Sequence, residues 1–261
     1  MGIEIRELEG DTMRILITDT NPAFANSIRR AILQEIPVMA VDEVDVAAND
    51  SVMNDEILVH RLGQVPLHTP DGYRLPRECD CTDGRCPKCS VTLTLEKEGP
   101  GIIKTGDLES SDEEVVPVSD SIPLTRLDEG QNLEFTAIAR LGFGKDHANW
   151  QPAVVAYKFM PIFELDEDAC TACGDCIDAC PKNILEIEDD EVKITNIEKC
   201  TMCLACIDSC PEDAINIDHD PTKVILKIES TGAMPPDQLL EKATEVLEDK
   251  CKEFAKKTKK L

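Results

Sequence analysis

Two cysteine runs constrain this chain more than anything else in it: Cys170-x₂-Cys173-x₂-Cys176-x₃-Cys180-Pro181 and Cys200-x₂-Cys203-x₂-Cys206-x₃-Cys210-Pro211. The spacing is that of paired iron–sulfur ligand runs, in which each run gives three thiolates to one cluster and its fourth to the other. Three close cysteines wrap one face of a cubane, and the fourth needs a helical step of reach. The proline then ends that short helix, because it lacks an amide donor and clashes with the preceding turn. The expected ligand sets are therefore crossed: Cys170, Cys173, Cys176 and Cys210 for one [4Fe–4S] cluster, and Cys200, Cys203, Cys206 and Cys180 for the other. A zinc site or a disulfide framework is the alternative, and the run matches the iron–sulfur spacing rather than a zinc one.

The remaining composition narrows the function classes. The chain has 261 residues, enough for two or three domains with their own cores. It carries 52 acids against 27 bases, a net charge of −25. Sustained contact with phosphates needs lysine and arginine to displace counterions, so no direct nucleic-acid binding is expected. A terminal basic cluster (Lys250, Lys252, Lys256, Lys257, Lys259, Lys260) reads as a solvated helix end. No apolar run approaches membrane-spanning length, and the start, Met1 to Arg6, fits neither a signal peptide nor a myristoylation pattern. Thirteen cysteines without a secretion signal point to a reducing cytoplasm and metal ligation.

Ile3 and Ile5 alternate with charges, and Met13, Ile15 and Ile17 recur at every second position, which reads as two strands. Asn21-Pro22 is a helix start, a capping side chain followed by proline at the first helical position. Phe24, Ile28, Ala31 and Ile32 continue that helix to about Ile36, with Arg29 and Arg30 on its other face. Between Val41 and Phe159 the β-like runs are Ser90–Glu96, Glu114–Pro117, Leu133–Leu141 and Val154–Phe159. Within this region lies Cys79-x-Cys81-x₄-Cys86-x₂-Cys89, whose four thiolates can close a tetrahedral zinc site and fold their loop; free thiols are the alternative. After each later cysteine run comes a hairpin-like stretch, Ile184–Ile187 and Ala214–Ile217, with turns at Asp189-Asp190 and Asp218–Pro221. Lys223–Glu229 is one more strand. A last helix from Asp237 carries Leu240, Ala243, Leu247, Cys251 and Phe254 on one face, which predicts Cys251 to be a small buried hydrophobe.

The helix Phe24–Leu33, running on through Ile36-Pro37-Val38-Met39-Ala40-Val41-Asp42-Glu43-Val44, resembles the dimerisation motif of the α-like subunits of cellular RNA polymerases. His60–Leu67, Ala139–Ala153 and Glu229–Gly232 through Pro235-Pro236 are similar to later segments of that family, so the resemblance spans nearly the whole chain. The Cys79–Cys89 loop looks like that of the eukaryotic third-largest subunit, with one more residue between its second and third cysteines than the commonest spacing. A two-cluster ferredoxin-like insertion points to the archaeal members.

The resemblance implies an α+β fold in three parts: a discontinuous dimerisation domain (1–40 and 221–261), an inserted β-rich domain (41–160) with a zinc-type loop at 79–89, and a ferredoxin-like domain (161–220). It implies a noncatalytic platform in a nucleotidyltransferase that pairs with a small subunit L and nucleates assembly with the large subunits and small subunits N and P. The dimer interface would include Phe24, Ile28, Ile32, Leu240, Leu247 and Phe254, and Arg29 and Arg30 would contact a large subunit. The clusters would then be structural, and sensitive to oxidation. The alternative is a ferredoxin-type electron-transfer protein, which accounts for eight cysteines and leaves the rest of the chain unused. Hydrolytic or transferase chemistry has little support. The four histidines (His60, His68, His147, His219) are scattered, and Gly142-Phe143-Gly144-Lys145-Asp146 lacks the first glycine and the Ser or Thr of a phosphate-binding loop, so it reads as a turn.

Overall fold

The computed structural model describes residues 1–81, 85–189 and 191–259. Its elements in chain order are β1 (Gly2–Glu9), β2 (Thr12–Thr18), α1 (Pro22–Glu35), β3 (Pro37–Asn49), α2 (Asp55–Gly63), β4 (Ser90–Glu98), β5 (Gly101–Lys104) and β6 (Glu109–Ser110). There follow β7 (Pro123–Leu127), β8 (Asn132–Phe143), β9 (Ala153–Leu165), α3 (Asp175–Ala179), β10 (Leu185–Glu188), β11 (Glu191–Ile194), α4 (Ala205–Asp208), β12 (Ile215–Ser230) and α5 (Pro236–Thr258). The fold is mixed α and β. Asp190 of the expected turn and Lys260 of the basic cluster lie outside the described residues.

The elements form two compact units, one of residues 1–7, 14–26 and 156–227, the other of residues 8–13, 27–155 and 228–261. The first unit holds a sheet of order β1-β2-β12-β9 and the antiparallel hairpin β10-β11. Ile15 and Ile17 are buried as their alternation predicts, but Leu16 is buried too, as are Val224, Ile225 and Leu226 in succession. Strands covered on both faces read as continuous apolar runs. The turn expected at Asp218–Pro221 is absent: Ile215–Ile217 and Lys223–Glu229 belong to the one strand β12. Pro221 has no amide to give a ladder. Instead Asp220 Oδ1 accepts the Thr222 amide at 2.9 Å and its hydroxyl at 2.6 Å, and the Thr222 carbonyl accepts Thr20 N–H at 3.1 Å. Backbone direction is thereby kept through the proline.

In the second unit β8 is the central strand of β3-β8-β4-β6, pairing from Pro37↔Phe143 to Asn49↔Leu133 on one side and from Ser90↔Arg140 to Glu98↔Asn132 on the other. The core beneath it includes Leu62, Leu93, Leu127 and Phe135. Two features of this region differ from expectation. Glu114–Pro117 contributes no strand, only the bridge Leu67↔Pro117, because Ser110 Oγ donates to the Asp112 and Val115 carbonyls and folds the segment on itself. Helix α2 was hidden among β-like runs; its signal is Leu58 and Leu62, four apart and both fully buried, behind the acidic first turn Asp55-Glu56.

A register shift between Val41 and Glu43 leaves an extra residue on β3 opposite β8. This bulge aims two adjacent carboxylates at one guanidinium: Arg140 Nη1 lies 2.9 Å from Asp42 and 2.8 Å from Glu43. Arg140 is buried, and burial alone would lower its pKa. Bonds from Glu43 and Asp42 outweigh that and raise it.

Helix α1 begins as its sequence signals, with Asn21 Oδ1 accepting Phe24 N–H at 2.9 Å. Ala25, Ile28, Ala31 and Ile32 form its buried face. Close to its C-terminal end, a Cβ added at Gly144 would lie 2.0 Å from the Leu33 carbonyl oxygen, and one at Gly142 would lie 2.3 Å from the Trp150 indole. The Gly142–Asp146 segment is therefore a close-packing joint. Lys145 and Lys250 both reach Glu35, at 3.1 and 2.8 Å. Helix α5 differs from expectation along its length. Its buried residues are Pro236, Leu239 and Ala243, while Leu240 and Leu247 are half-buried and Cys251 is exposed. The stripe that carries Cys251 runs beyond the turns that pack on this chain.

Two outcomes follow from this packing. Gly144→Ala should destabilise the chain by about 1–3 kcal/mol, since the opposing atom is backbone and cannot rotate away; thermal unfolding reads this directly. Arg140, then Arg85, holds the Glu43 carboxyl below the usual glutamate range. Glu43 thus contributes stability that is full above its unfolded pKa of about 4.3 and is lost as pH falls through the lower folded value. Glu43→Gln should lower stability at neutral pH and flatten that part of the acid decline.

Candidate metal centres

Cys79 and Cys81, with Cys86 and Cys89, gather as a knuckle in the second unit; residues 82–84 between them lie outside the described residues. The Cys86 carbonyl accepts both Cys89 N–H and Ser90 N–H at 3.0 Å, a tight turn that folds the last two cysteines back toward the first two. Sγ–Sγ distances are 3.5 Å for Cys79–Cys86, Cys81–Cys89 and Cys86–Cys89. All four sulfurs lie within 4.8 Å of one another. Tetrahedral zinc at about 2.3 Å from each sulfur requires edges of about 3.8 Å, so the donor set fits one ion. The Lys88 amide draws the Cys86 thiol down to about 7, while burial pushes Cys89 up to about 12. Without a cation these sulfurs cannot all be thiolates at neutral pH; a coordinated metal deprotonates them outright.

The knuckle is clipped to its sheet by Arg85 and Arg77. Arg85 pairs with Glu43 at 2.5 Å, the same carboxylate that Arg140 holds. Arg77, just before Cys79, lies 5.0 Å from the Phe143 ring centre, and Lys145 lies 4.7 Å from it. Cation–π contacts of this kind contribute about 0.5–1 kcal/mol each at exposed sites.

The eight later cysteines line two cavities in the first unit. One is bounded by Cys170, Cys173, Cys176 and Cys210, together with Val192 and Ile215. The other is bounded by Cys180, Cys200, Cys203 and Cys206, with Phe163, Leu185 and Ile217 among its walls. These are the crossed groupings that the spacing predicts. Each is looser than the knuckle: among the described residues, the Cys79–Cys89 set alone gathers its ligand atoms within 4.8 Å. The short helices α3 and α4 carry Cys176 and Cys206 inward, where both are buried. Burial pushes both thiols up.

The backbone repeats with the cysteines. Ala172 and Met202, Gly174 and Leu204, and Asn183 and Asp213 all have positive φ, and the members of each pair stand thirty residues apart. Left-handed geometry costs a non-glycine residue roughly 1–2 kcal/mol, so five of these six positions are strained. The conformation turns amides toward sulfur: Met202 N–H lies 3.4 Å from Cys200 Sγ and Ala214 N–H 3.3 Å from Cys210 Sγ. Around them the apolar core is small, and three of its seven buried members are cysteines.

Of the residues expected to meet a partner, Ile28 and Ile32 are consumed within the chain at 3% and 0% exposure. Phe24, Leu240 and Leu247 are half-buried and Phe254 is 70% exposed. Arg29 is half-buried and Arg30 exposed. On β1, one of the N-terminal strands that the resemblance places in the pairing, Ile3 and Ile5 are 58% and 61% exposed.

Residues 14–251 match the family described as the RNA polymerase Rpb3/Rpb11 dimerisation domain. The chain belongs to this family. It is 42% identical to DNA-directed RNA polymerase subunit Rpo3 of Archaeoglobus fulgidus over 97% of this chain and 96% of that protein. It is 40% identical to the subunit of that name from Methanothermobacter thermautotrophicus, covering 97% of each chain. For Pyrococcus furiosus the figures are 36% identity over 100% of this chain and 98% of the relative. In this Rpb3/Rpb11 family member the matched span contains the knuckle and both cysteine-lined cavities. No described helix is long and apolar enough to cross a membrane.

One expected result tests the knuckle separately from the other cysteines. Cys86→Ser should abolish tight binding of one zinc per chain, read by chromophoric chelator titration. Because binding releases protons from thiols, wild-type affinity should fall as pH is lowered.

Proposed function

We propose that this chain is the assembly-platform subunit of an archaeal DNA-directed RNA polymerase, corresponding to the subunit called D, and contributes no catalytic group. The observation that carries this reading is the match to the Rpb3/Rpb11 dimerisation family along residues 14–251, with relatives of full length named as polymerase subunits. The half-exposed stripe of α5, through Leu247 to Phe254, is apolar surface that a small subunit of like design, subunit L, would bury at roughly 25 cal/mol per Å². Phe24 and Leu240 would extend that contact. Arg29 and Arg30 would meet a large subunit, and subunits N and P would join the assembled platform.

The same reading gives the knuckle one zinc ion and the two cavities one [4Fe–4S] cluster each, held by Cys170, Cys173, Cys176 and Cys210 and by Cys180, Cys200, Cys203 and Cys206. Two features support clusters over single ions there: the paired iron–sulfur spacing, and sulfurs spread more widely than in the knuckle. Their role is to complete a core in which cysteines replace aliphatic residues. Loss of iron to oxidants would then weaken the first unit and, through it, assembly with the large subunits, leaving the pairing with L intact.

Co-expression with a candidate subunit L tests the platform. The wild-type chain should copurify with it as a heterodimer, and Leu247→Asp or Phe254→Asp should weaken the pair by about tenfold or more. Stable pairing unaffected by both changes would rule out α5 as the contact. Anaerobically purified chain should carry about eight irons, and Cys173→Ser should remove iron from one site without disturbing the pairing.

A further inference from the structure

The two cysteine-lined cavities differ in the charges and walls they present. Lys182 lies on the second cavity, whose lining also includes Phe163, Ile184, Ile194, Ile197 and Leu204. Glu212 lies on the first, and among the described residues no lysine or arginine lines it. A second cation reaches the second centre from outside the repeat. Lys158 Nζ, on β9, donates to the Glu198 carbonyl at 2.6 Å and to the Cys200 carbonyl at 2.8 Å. Both acceptors are backbone groups. The Glu198 carboxylate is directed elsewhere, to Arg6 Nε at 2.8 Å and Arg14 Nη2 at 3.9 Å. The ammonium therefore ties the chain at the first ligand of the second run to β9, where it feels the Cys200 and Glu198 charges as well as Arg14.

We infer that Lys158 is a positioning residue for the second centre, fixing the Cys200 backbone and raising the reduction potential of the cluster held there relative to the same site without it. The inference rests on the iron–sulfur reading above. Net charge, hydrogen bonding and solvent exposure set the potential of such clusters. Adding one electron makes a thiolate-bound cluster one unit more negative. The apolar walls of the second cavity disfavour that extra charge, and a nearby cation favours it. Lys158 thus offsets what the walls impose. The first centre has Glu212 in place of such a cation, so the duplicated sequence holds two electronically unequal sites. No part of the cysteine spacing encodes this, because Lys158 lies outside the repeat and twelve residues before its first cysteine.

The test uses the full chain purified anaerobically with its partner subunit. Iron and sulfide are counted first, and the midpoint of each cluster is then read by electron paramagnetic resonance during a titration with dithionite as the electron donor. Cys203→Ser identifies the second site by altering its signal. Lys158→Met should move the midpoint of that site to a more negative potential, leave the other in place, and be reversed by Lys158→Arg. Unmoved midpoints, or a shift at the first site, would overturn the inference. If the Met variant fails to hold its iron, Lys158→Gln supplies the reading, since its amide can still donate but carries no charge. Iron lost from the second site alone in both variants, and retained in Lys158→Arg, also supports the positioning role; iron lost from the first site overturns it. A wild-type chain with no iron at these cysteines would remove the cluster reading itself, a result distinct from clusters whose midpoints ignore Lys158.

Discussion

The ion triad of Arg140, Asp42 and Glu43 organises much of the second unit. A buried guanidinium is costly unless its donors are met, and here the β3 bulge supplies two carboxylates within 3 Å. The same strand residue serves a second purpose, since the Arg140 carbonyl accepts the Trp150 indole N–H at 3.0 Å. That bond seats the indole over Gly142, where no side chain would fit. Glu43 in turn receives Arg85 from the knuckle. One bulge thereby links the register of β3 on β8, the packing of the Gly142–Trp150 segment and the anchoring of the cysteine knuckle.

In the first unit the cysteines hold a comparable place, by a different route. The knuckle is a local site: four cysteines within eleven residues, held by a turn and clipped to a sheet that has its own core. The paired cavities are not local. Each is lined by a cysteine from the opposite run, so both runs, with the hairpin β10-β11 between them, are needed to build either wall. Five non-glycine residues in left-handed geometry and thiols pushed up by burial are tolerated only where something stronger compensates. On the iron–sulfur reading proposed above, cluster ligation would supply that compensation.

Much was legible in the sequence because the signals were local. Asn21-Pro22 states where α1 begins, and the amide it caps is three residues away. The periodicity of β2 and α1 and the extents of β4 and β8 are equally short-range. The errors came where a specific side-chain bond or the extent of packing decided the outcome. Pro221 reads as a turn until the Asp220 side chain and the Thr20 amide supply what its neighbours need. Glu114–Pro117 alternates like a strand but is folded by Ser110. Cys251 falls on an apolar stripe and is exposed, because the packing surface ends near Ala243.

By itself the sequence determined how the cysteines group around the two cavities, the start of α1, and the family to which the chain belongs. Those properties depend on spacing along the chain, and spacing is what a sequence records. Only the tertiary structure decided that Ile28 and Ile32 are spent internally, that two carboxylates converge on Arg140, and that Lys158 reaches the Cys200 carbonyl from forty-two residues away. The physical reason is that burial and charge are properties of surroundings. A lysine on β9 carries the same pattern whether it meets water or the carbonyl of Cys200.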